Sequence, residues 1–440
     1  MANTPLEPEP SDDDHPWEGL GWYAQRRPVF TGTNELQLLK GGQAFFPALC
    51  THIAQARETI WLAMYLISPH GESGAVLQAL QEAAQRGVRV LLVADGVGSH
   101  DAPASMWEAL RSAGVHVVIH RPFHQFWGVF RTSEWRRMHL KLCVIDEAVS
   151  FIGGINLIDD RYDLHNGWSQ APRLDYAVQI KGPACTPVQH TIKAMWTRAQ
   201  FGKDWRDELW PWMQDAHRMR RLQDLWRQAR MRLTPDEQAP FIKAANNPHP
   251  TRCAFVLRDN LRQRRTIERA AIQAIKQAQR EVDIVTPYFY PGRRLRLALR
   301  HAASRGVRVR LLLQGKVDLP IAGLAARVLY DELMAHGVEI HEYQPAFLHA
   351  KVLRVDDDWA TIGSSNLDPL SLVLNMEANV IVRDKAFVQA LTASLAEDFE
   401  ASQVVLAASH QRSWADRVGH WLFKASAKLY LRLAGITGRY

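Results

Sequence analysis

Two stretches of the chain repeat one pattern of apolar and polar positions. The Ala-rich run from Leu77 to Gln85 reads as a helix. It leads into Arg86-Gly87-Val88-Arg89-Val90 and the apolar run Leu91-Leu92-Val93, a strand. The same order returns 219 residues later. A helical stretch from Leu295 to Ser304 precedes Arg305-Gly306-Val307-Arg308-Val309 and Leu311-Leu312-Leu313. Each copy continues through a second helix, ending in Ala113-Gly114-Val115 or His336-Gly337-Val338. Each then reaches a His-x-Lys strand, at His139 or His349. One copied unit of strand, helix, strand, helix, strand accounts for this order. Short β-branched strands alternating with helices predict an α/β fold. The expected form is two similar α/β/α domains with mainly parallel central sheets, related by a pseudo-two-fold, with the active site at their junction.

The pattern also sets boundaries. Residues 1–32 read as a disordered tail, 33–190 as the first domain and 251–401 as the second. Between them, residues 191–250 are rich in Trp and Arg and end in Asn246-Asn247-Pro248, as a connecting segment would. Residues 402–440 are an extension without a repeat partner.

Composition narrows the function. The chain has 440 residues, 47% hydrophobic and 22% charged, enough for more than one buried core. Its four cysteines, Cys50, Cys143, Cys185 and Cys253, lie far apart with no C-x-x-C pair. That excludes a disulfide scaffold, argues against a zinc site and fits a reducing compartment. No uncharged apolar run is long enough to cross a bilayer, and the acidic, Pro-rich start lacks the form of a signal peptide. A cytoplasmic protein is expected. The formal net charge of +7 points to anionic partners, either nucleic acid or an anionic membrane surface.

The chemistry lies in a doubled constellation. The first half reads His139-Leu-Lys141-Leu-Cys-Val-Ile-Asp146, then Gly153-Gly154-Ile-Asn156. The second reads His349-Ala-Lys351-Val-Leu-Arg-Val-Asp356, then Gly363-Ser364-Ser365-Asn366. From His to Asn is 17 residues in both. On a strand, residues two apart share a face, so each His points with its Lys. An imidazole beside an ammonium suits attack on a phosphodiester: one supplies a nucleophile or proton, the other neutralises phosphate oxygens. Asp146 and Asp356 lie an odd number of positions away and face the opposite side, where they would hold the strand end. The Gly-Gly or Gly-Ser turn admits close backbone approach, and the Asn amide can donate to phosphate. An attacking imidazole also needs a carboxylate to fix its tautomer. Asp175 and Glu377 are chosen over Asp159, Asp160 and Asp368, because both precede similar apolar strands, YAVQI and ANVIV. No metal site is read in Asp12-Asp13-Asp14 or Asp356-Asp357-Asp358.

The doubled motif resembles that of the phospholipase D superfamily at every position of both copies. Gly153-Gly154-Ile-Asn156, Asp175-Tyr176-Ala177-Val178 with Gly182-Pro183, and the block from Trp359 to Leu372 look like bacterial cardiolipin synthases. Pro287-Tyr288-Phe289 looks most like their B type. The resemblance implies a phosphatidyltransferase that needs no cofactor or metal. His139, Lys141, Asp146, His349, Lys351 and Asp356 would be its catalytic motif residues. Asn156 and Asn366 would bind substrate, and Asp175 and Glu377 would orient the imidazoles. Family precedent makes His139 the nucleophile, forming a phosphohistidine, and His349 the acid and base; spacing alone leaves the two interchangeable. The implied donor is phosphatidylglycerol. The implied acceptor is phosphatidylglycerol, phosphatidylethanolamine or glycerol. The alternatives are a hydrolytic phospholipase D and a nuclease-type phosphodiesterase acting on nucleic acid.

Three stretches bear on lipid. Between Gly114 and His139 the first half is longer than its copy and carries Phe123, Phe126, Trp127, Phe130 and Trp135 among Arg131, Arg136 and Arg137. This suits either an interfacial lip or a packed loop over the junction. Basic amphipathic spacings also run from Met219 to Leu233, favouring an ordinary packed helix, and from Trp414 to Ile436, favouring an anionic membrane surface. With phospholipid as substrate, the expected location is peripheral, on the cytoplasmic side of the bacterial inner membrane.

Overall fold

The computed structural model describes residues 27–121, 137–164, 167–201, 249, 251–259, 263–287, 289, 291–315, 329–366 and 375–406. Most of the aromatic insertion, both long basic amphipathic stretches and residues 1–26 of the N-terminal tail lie outside these residues; the end of that tail is not disordered, because Thr31 is buried and pairs with Cys253 across the two halves.

The first half contains β1 (Glu35–Lys40), α1 (Gly41–Gln55), β2 (Thr59–Met64), α2 (Glu72–Gln85), β3 (Arg89–Asp95), α3 (Ala104–Ser112) and β4 (His116–His120). It continues with β5 (Arg137–Met138), β6 (Lys141–Ile145), β7 (Val149–Gly153), β8 (Tyr162–Asp163), β9 (Gly167–Trp168), β10 (Tyr176–Lys181) and α4 (Cys185–Phe201). The second half has β11 (Arg252–Arg258), α5 (Thr266–Gln277), β12 (Glu281–Thr286), α6 (Arg293–Ser304), β13 (Arg308–Gln314), β14 (Val338–Tyr343) and β15 (Val352–Val355). It ends with β16 (Trp359–Gly363), β17 (Asn375–Arg383), α7 (Lys385–Glu400) and β18 (Ser402–Val404).

The first sheet runs β1-β10-β7-β6-β2-β3-β4. The second runs β11-β17-β16-β15-β12-β13-β14, with β18 added at its edge. The two orders correspond strand for strand, so the sequence repeat is a repeat of topology. Both sheets are mixed, which corrects the expectation of mainly parallel pairing. Within the two repeated orders, parallel pairs join only β2-β3-β4 and β12-β13-β14. The remaining pairs within the two repeated orders are antiparallel. For β6-β7 and β15-β16 the reason is loop length: three residues separate the strands, and a connection that short can only reverse the chain.

The helix-ending glycines explain why the copies stop alike. Gly87, Gly114, Gly306 and Gly337 all have φ between +84° and +97°. At three of these ends the following valine N–H returns to a carbonyl five residues back, Val88 to Ala83, Val115 to Leu110 and Val307 to Ala302. That closure needs a left-handed residue, which glycine adopts without a Cβ clash.

Three apolar cores hold the layers. One packs α1 to α3 on the outer face of the first sheet, through residues such as Phe46, Leu49, Leu80 and Leu92. A second packs α5 and α6 on the outer face of the second, through Ile275, Leu299 and Leu311. The third is shared: Val144, Ile152 and Val178 of one half meet Phe255, Ile362 and Val380 of the other, with Val188 of α4 and Leu391 of α7 in the same cluster. A polar contact crosses the junction too. Tyr176 donates to Asp398 at 2.5 Å, and Lys40 Nζ lies 2.8 Å from the same carboxylate.

Candidate active site

Each histidine is held by backbone from the other half. The N–H of His139 donates to the carbonyl of Met376 at 3.0 Å, and the next residue is Glu377. The N–H of His349 donates to the carbonyl of Leu174 at 2.8 Å, and the next residue is Asp175. The parallel pairing of β5 with the start of β17 continues the first contact. This exchange brings each imidazole to the other half's carboxylate. His139 Nδ1 lies 3.0 and 3.1 Å from the two oxygens of Glu377, and His349 Nδ1 lies 2.6 Å from Asp175 Oδ2.

A carboxylate accepts, so each Nδ1 carries the proton and each Nε2 keeps its lone pair. Glu377 and Asp175 are buried. Burial alone would push both carboxyls up. The adjacent imidazoles, Lys141 and Arg258 beside Glu377, and Lys351 and the Tyr176 N–H beside Asp175, hold them below the ordinary range. The imidazoles move down as well. Burial outweighs Glu377 at His139, and burial with the Lys351 charge takes His349 down to about 3. At neutral pH both rings are therefore uncharged, each facing an anion. His139 retains 13% and His349 28% side-chain exposure, enough for a headgroup to reach them.

The two ammonium groups come from the same strands. Lys141 Nζ donates to the carbonyl of His139 at 3.2 Å, and Lys351 Nζ to that of His349. Burial pushes Lys141 down to about 7; Glu377 and Asp175 oppose this and Lys351 adds to it. A buried cation whose charge is so marginal favours an incoming anion strongly.

Asn156 is buried and Asn366 half-buried. The Oδ1 of each is buried without a hydrogen-bond partner among the described residues. Each side chain therefore has hydrogen-bonding capacity that the surrounding protein leaves unused. The glycines before them allow tight packing: a Cβ on Gly154 would sit 2.1 Å from Asp175 Oδ1, and one on Gly363 2.3 Å from the carbonyl of Ala378. At the position matching Gly154 the second half has Ser364, whose hydroxyl donates to Glu377 Oε2 at 2.5 Å.

His139, Lys141, His349, Lys351, Asp175 and Glu377 thus converge, with Asn156 and Asn366 on the turns following β7 and β16. Asp146 and Asp356 do not join them, which corrects their place among candidate catalytic residues. Each occupies a left-handed turn, φ +49° and +52°, and accepts three backbone N–H groups. Asp146 takes those of Arg57, Glu58 and Thr59, and Asp356 those of Gln279, Arg280 and Glu281. They tie the β6-β7 and β15-β16 turns to the start of the neighbouring strand, as their opposite-face parity requires. Asp159 and Asp160 likewise serve backbone, at Glu72 and Gly42.

Sequence reasoning passed over Tyr65. Its ring meets that of His139 edge-on at 4.7 Å and lies 5.0 Å from Lys141 Nζ. Its counterpart after β12 is Pro287, so the repeat gave no signal. Asp95 was passed over too; it accepts the N–H of Met138 at 2.9 Å, next to His139.

A family model described as cardiolipin synthase, phospholipase D-like domain, matches residues 49–170 and 271–399. The chain is 38% identical to the cardiolipin synthase B of Salmonella typhi over 364 residues, 82% of this chain and 79% of that one. It is 32% identical to the cardiolipin synthase A of Pseudomonas putida, over 85% of this chain and 70% of that one. Among solved structures, the phosphatidylserine synthase of Haemophilus influenzae superposes with a TM-score of 0.62 at 13% identity, covering 93% of this chain and 97% of that one. That likeness is one of fold.

Proposed function

The chain belongs to the cardiolipin synthase family of phospholipase D-like enzymes and is a phosphatidyltransferase, and from this we propose that it carries a phosphatidyl group from phosphatidylglycerol to an alcohol through a phosphohistidine. In the first step His139 Nε2 attacks phosphorus. The P–N bond forms as the P–O bond to the glycerol headgroup breaks, and the departing oxygen takes a proton from His349 Nε2. In the second step the acceptor hydroxyl returns a proton to His349 and its oxygen attacks the same phosphorus, freeing His139. No net proton is consumed.

The resting electrostatics support this division. Nδ1–H bonded to Glu377 leaves His139 with a lone pair at Nε2. His349 is neutral in the empty site. A phosphodiester anion between the lysines raises its proton affinity, so the acid forms when substrate is present. Lys141, Lys351 and the two Asn amides would take the non-bridging oxygens. Greater exposure of His349 suits the group that must receive the acceptor. The observation that carries the reading is that each imidazole is paired with a buried carboxylate from the opposite half.

Among the described residues no helix is long and apolar enough to cross a membrane. With lipid as substrate, the enzyme would work peripherally, on the cytoplasmic side of the bacterial inner membrane. Mass spectrometry of lipids after incubation with phosphatidylglycerol, with and without glycerol or phosphatidylethanolamine, tests the reading. Cardiolipin or exchanged product is expected. Phosphatidic acid alone would make it a hydrolase, and cleavage of nucleic acid without any lipid product would overturn it.

A further inference from the structure

The excursion from Asn156 to Asp175 leaves the site at one of its residues and returns at another. Within it, β8 and β9 form a two-stranded hairpin that joins neither main sheet. Trp168 stands on this hairpin with 61% of its surface exposed. The other large apolar residues so exposed among the described ones, Val404 and Leu406, follow α7 at the far edge of the second sheet. Trp168 packs on Tyr162 at 5.3 Å, and Tyr162 on His70 at 4.7 Å. Arg173 fastens the hairpin to the catalytic side. Its guanidinium donates to the Tyr162 carbonyl at 3.2 Å and lies 3.8 Å from Asp163, and its charge bears on His349. The next residue, Leu174, pairs with the His349 segment. Arg161, exposed, adds a positive charge at the hairpin's base.

We propose that the paired strands β8 and β9 are a lipid-surface contact, seating Trp168 in the headgroup region of an anionic glycerophospholipid bilayer beside the catalytic pair. This rests on the phosphatidyl-transfer reading. A two-chain lipid cannot reach paired imidazoles unless the rim around them touches the bilayer. An indole joins an apolar face to a polar N–H and so favours the membrane–water interface. Arginine at its base attracts anionic headgroups.

The test uses the full chain with phosphatidylglycerol/phosphatidylethanolamine vesicles and, in parallel, phosphatidylglycerol dispersed in detergent micelles. Trp168→Ala is expected to weaken vesicle binding about fivefold and to slow turnover on vesicles, with turnover in micelles within about twofold of the parent. Trp168→Phe is expected to restore most of the binding. Vesicle binding by W168A as tight as the parent's would overturn the hairpin assignment alone, as would equal losses on vesicles and micelles. Absence of any transferred product from the parent in micelles would instead sink the phosphatidyl-transfer reading.

Discussion

Glu377→Gln isolates the charge that faces His139. The substitution keeps size and an oxygen acceptor for Nδ1–H but removes a negative charge whose oxygens lie 3.0 and 3.1 Å from the ring nitrogen. When His139 attacks phosphorus the ring becomes positive, and that carboxylate is its nearest counter-charge. Two unit charges about 4 Å apart interact by about 4 kcal/mol at an effective dielectric of about 20. Lost from the transition state, this is about a 10³-fold fall in kcat. A second effect appears in the pH profile. Glu377 is the largest of the charges that hold Lys141 protonated against burial. Lys141 is charged below about 7 and neutral above it, so a phosphate clamp present at low pH is lost as pH rises. In the parent, kcat/KM should fall on the basic side of about 7, and in E377Q that limb should move to lower pH. The assay is lipid product formation in detergent micelles across pH, with thermal unfolding confirming that E377Q is folded. A folded E377Q within tenfold of the parent, with an unmoved basic limb, would refute the reasoning.

Asp146→Ala should cost about 2 kcal/mol of stability, from three lost hydrogen bonds to backbone N–H groups and an unfavourable left-handed alanine, while the folded enzyme turns over within about threefold of the parent. Its carboxyl is held below the ordinary range, because three N–H bonds outweigh burial. Its stabilisation is therefore present above the unfolded-state value and lost as pH falls through the folded one; denaturation of D146A and parent at pH 7 and pH 3 measures this, and equal stability at pH 7 would contradict it. Gly154→Ala drives a Cβ into Asp175 and should lower kcat at least about 10²-fold by loosening His349; activity near the parent's would show that Asp175 need not hold that ring. Tyr65→Leu should lower kcat about tenfold and Tyr65→Phe little, since the contacts to His139 and Lys141 are made by the ring; Y65L at the parent rate would remove Tyr65 from the site.

Much of this architecture was legible in the sequence because duplication writes each feature twice. Four helix-ending glycines, two His-x-Lys pairs and two Gly-x-x-Asn turns each had a copy to be checked against. The strand parity that set Asp146 opposite Lys141 already foretold its capping role, and the resemblance to the family motif pulled it toward the catalytic group. What duplication could not show is where the halves differ or exchange. Tyr65 stands opposite Pro287 and Ser364 opposite Gly154, so neither repeats. The pairing of His139 with Glu377 and of His349 with Asp175 depends on how two sheets dock, which periodicity along one strand does not encode. Two three-residue turns reverse the chain at β6-β7 and β15-β16, and the antiparallel pairs β1-β10, β2-β6, β11-β17 and β12-β15 join strands far apart in sequence, which the alternation of strands and helices does not encode.

The most direct measurement is to find which residue carries the covalent intermediate. The full chain with His349→Ala, mixed with phosphatidylglycerol, quenched in denaturant and digested, should give a phosphatidylated peptide containing His139 by mass spectrometry, absent from the H139A/H349A double variant. Label on the His349 peptide of H139A, with none on His139 in H349A, would reverse the roles. Sustained product formation by H139A would contradict the two-histidine mechanism itself.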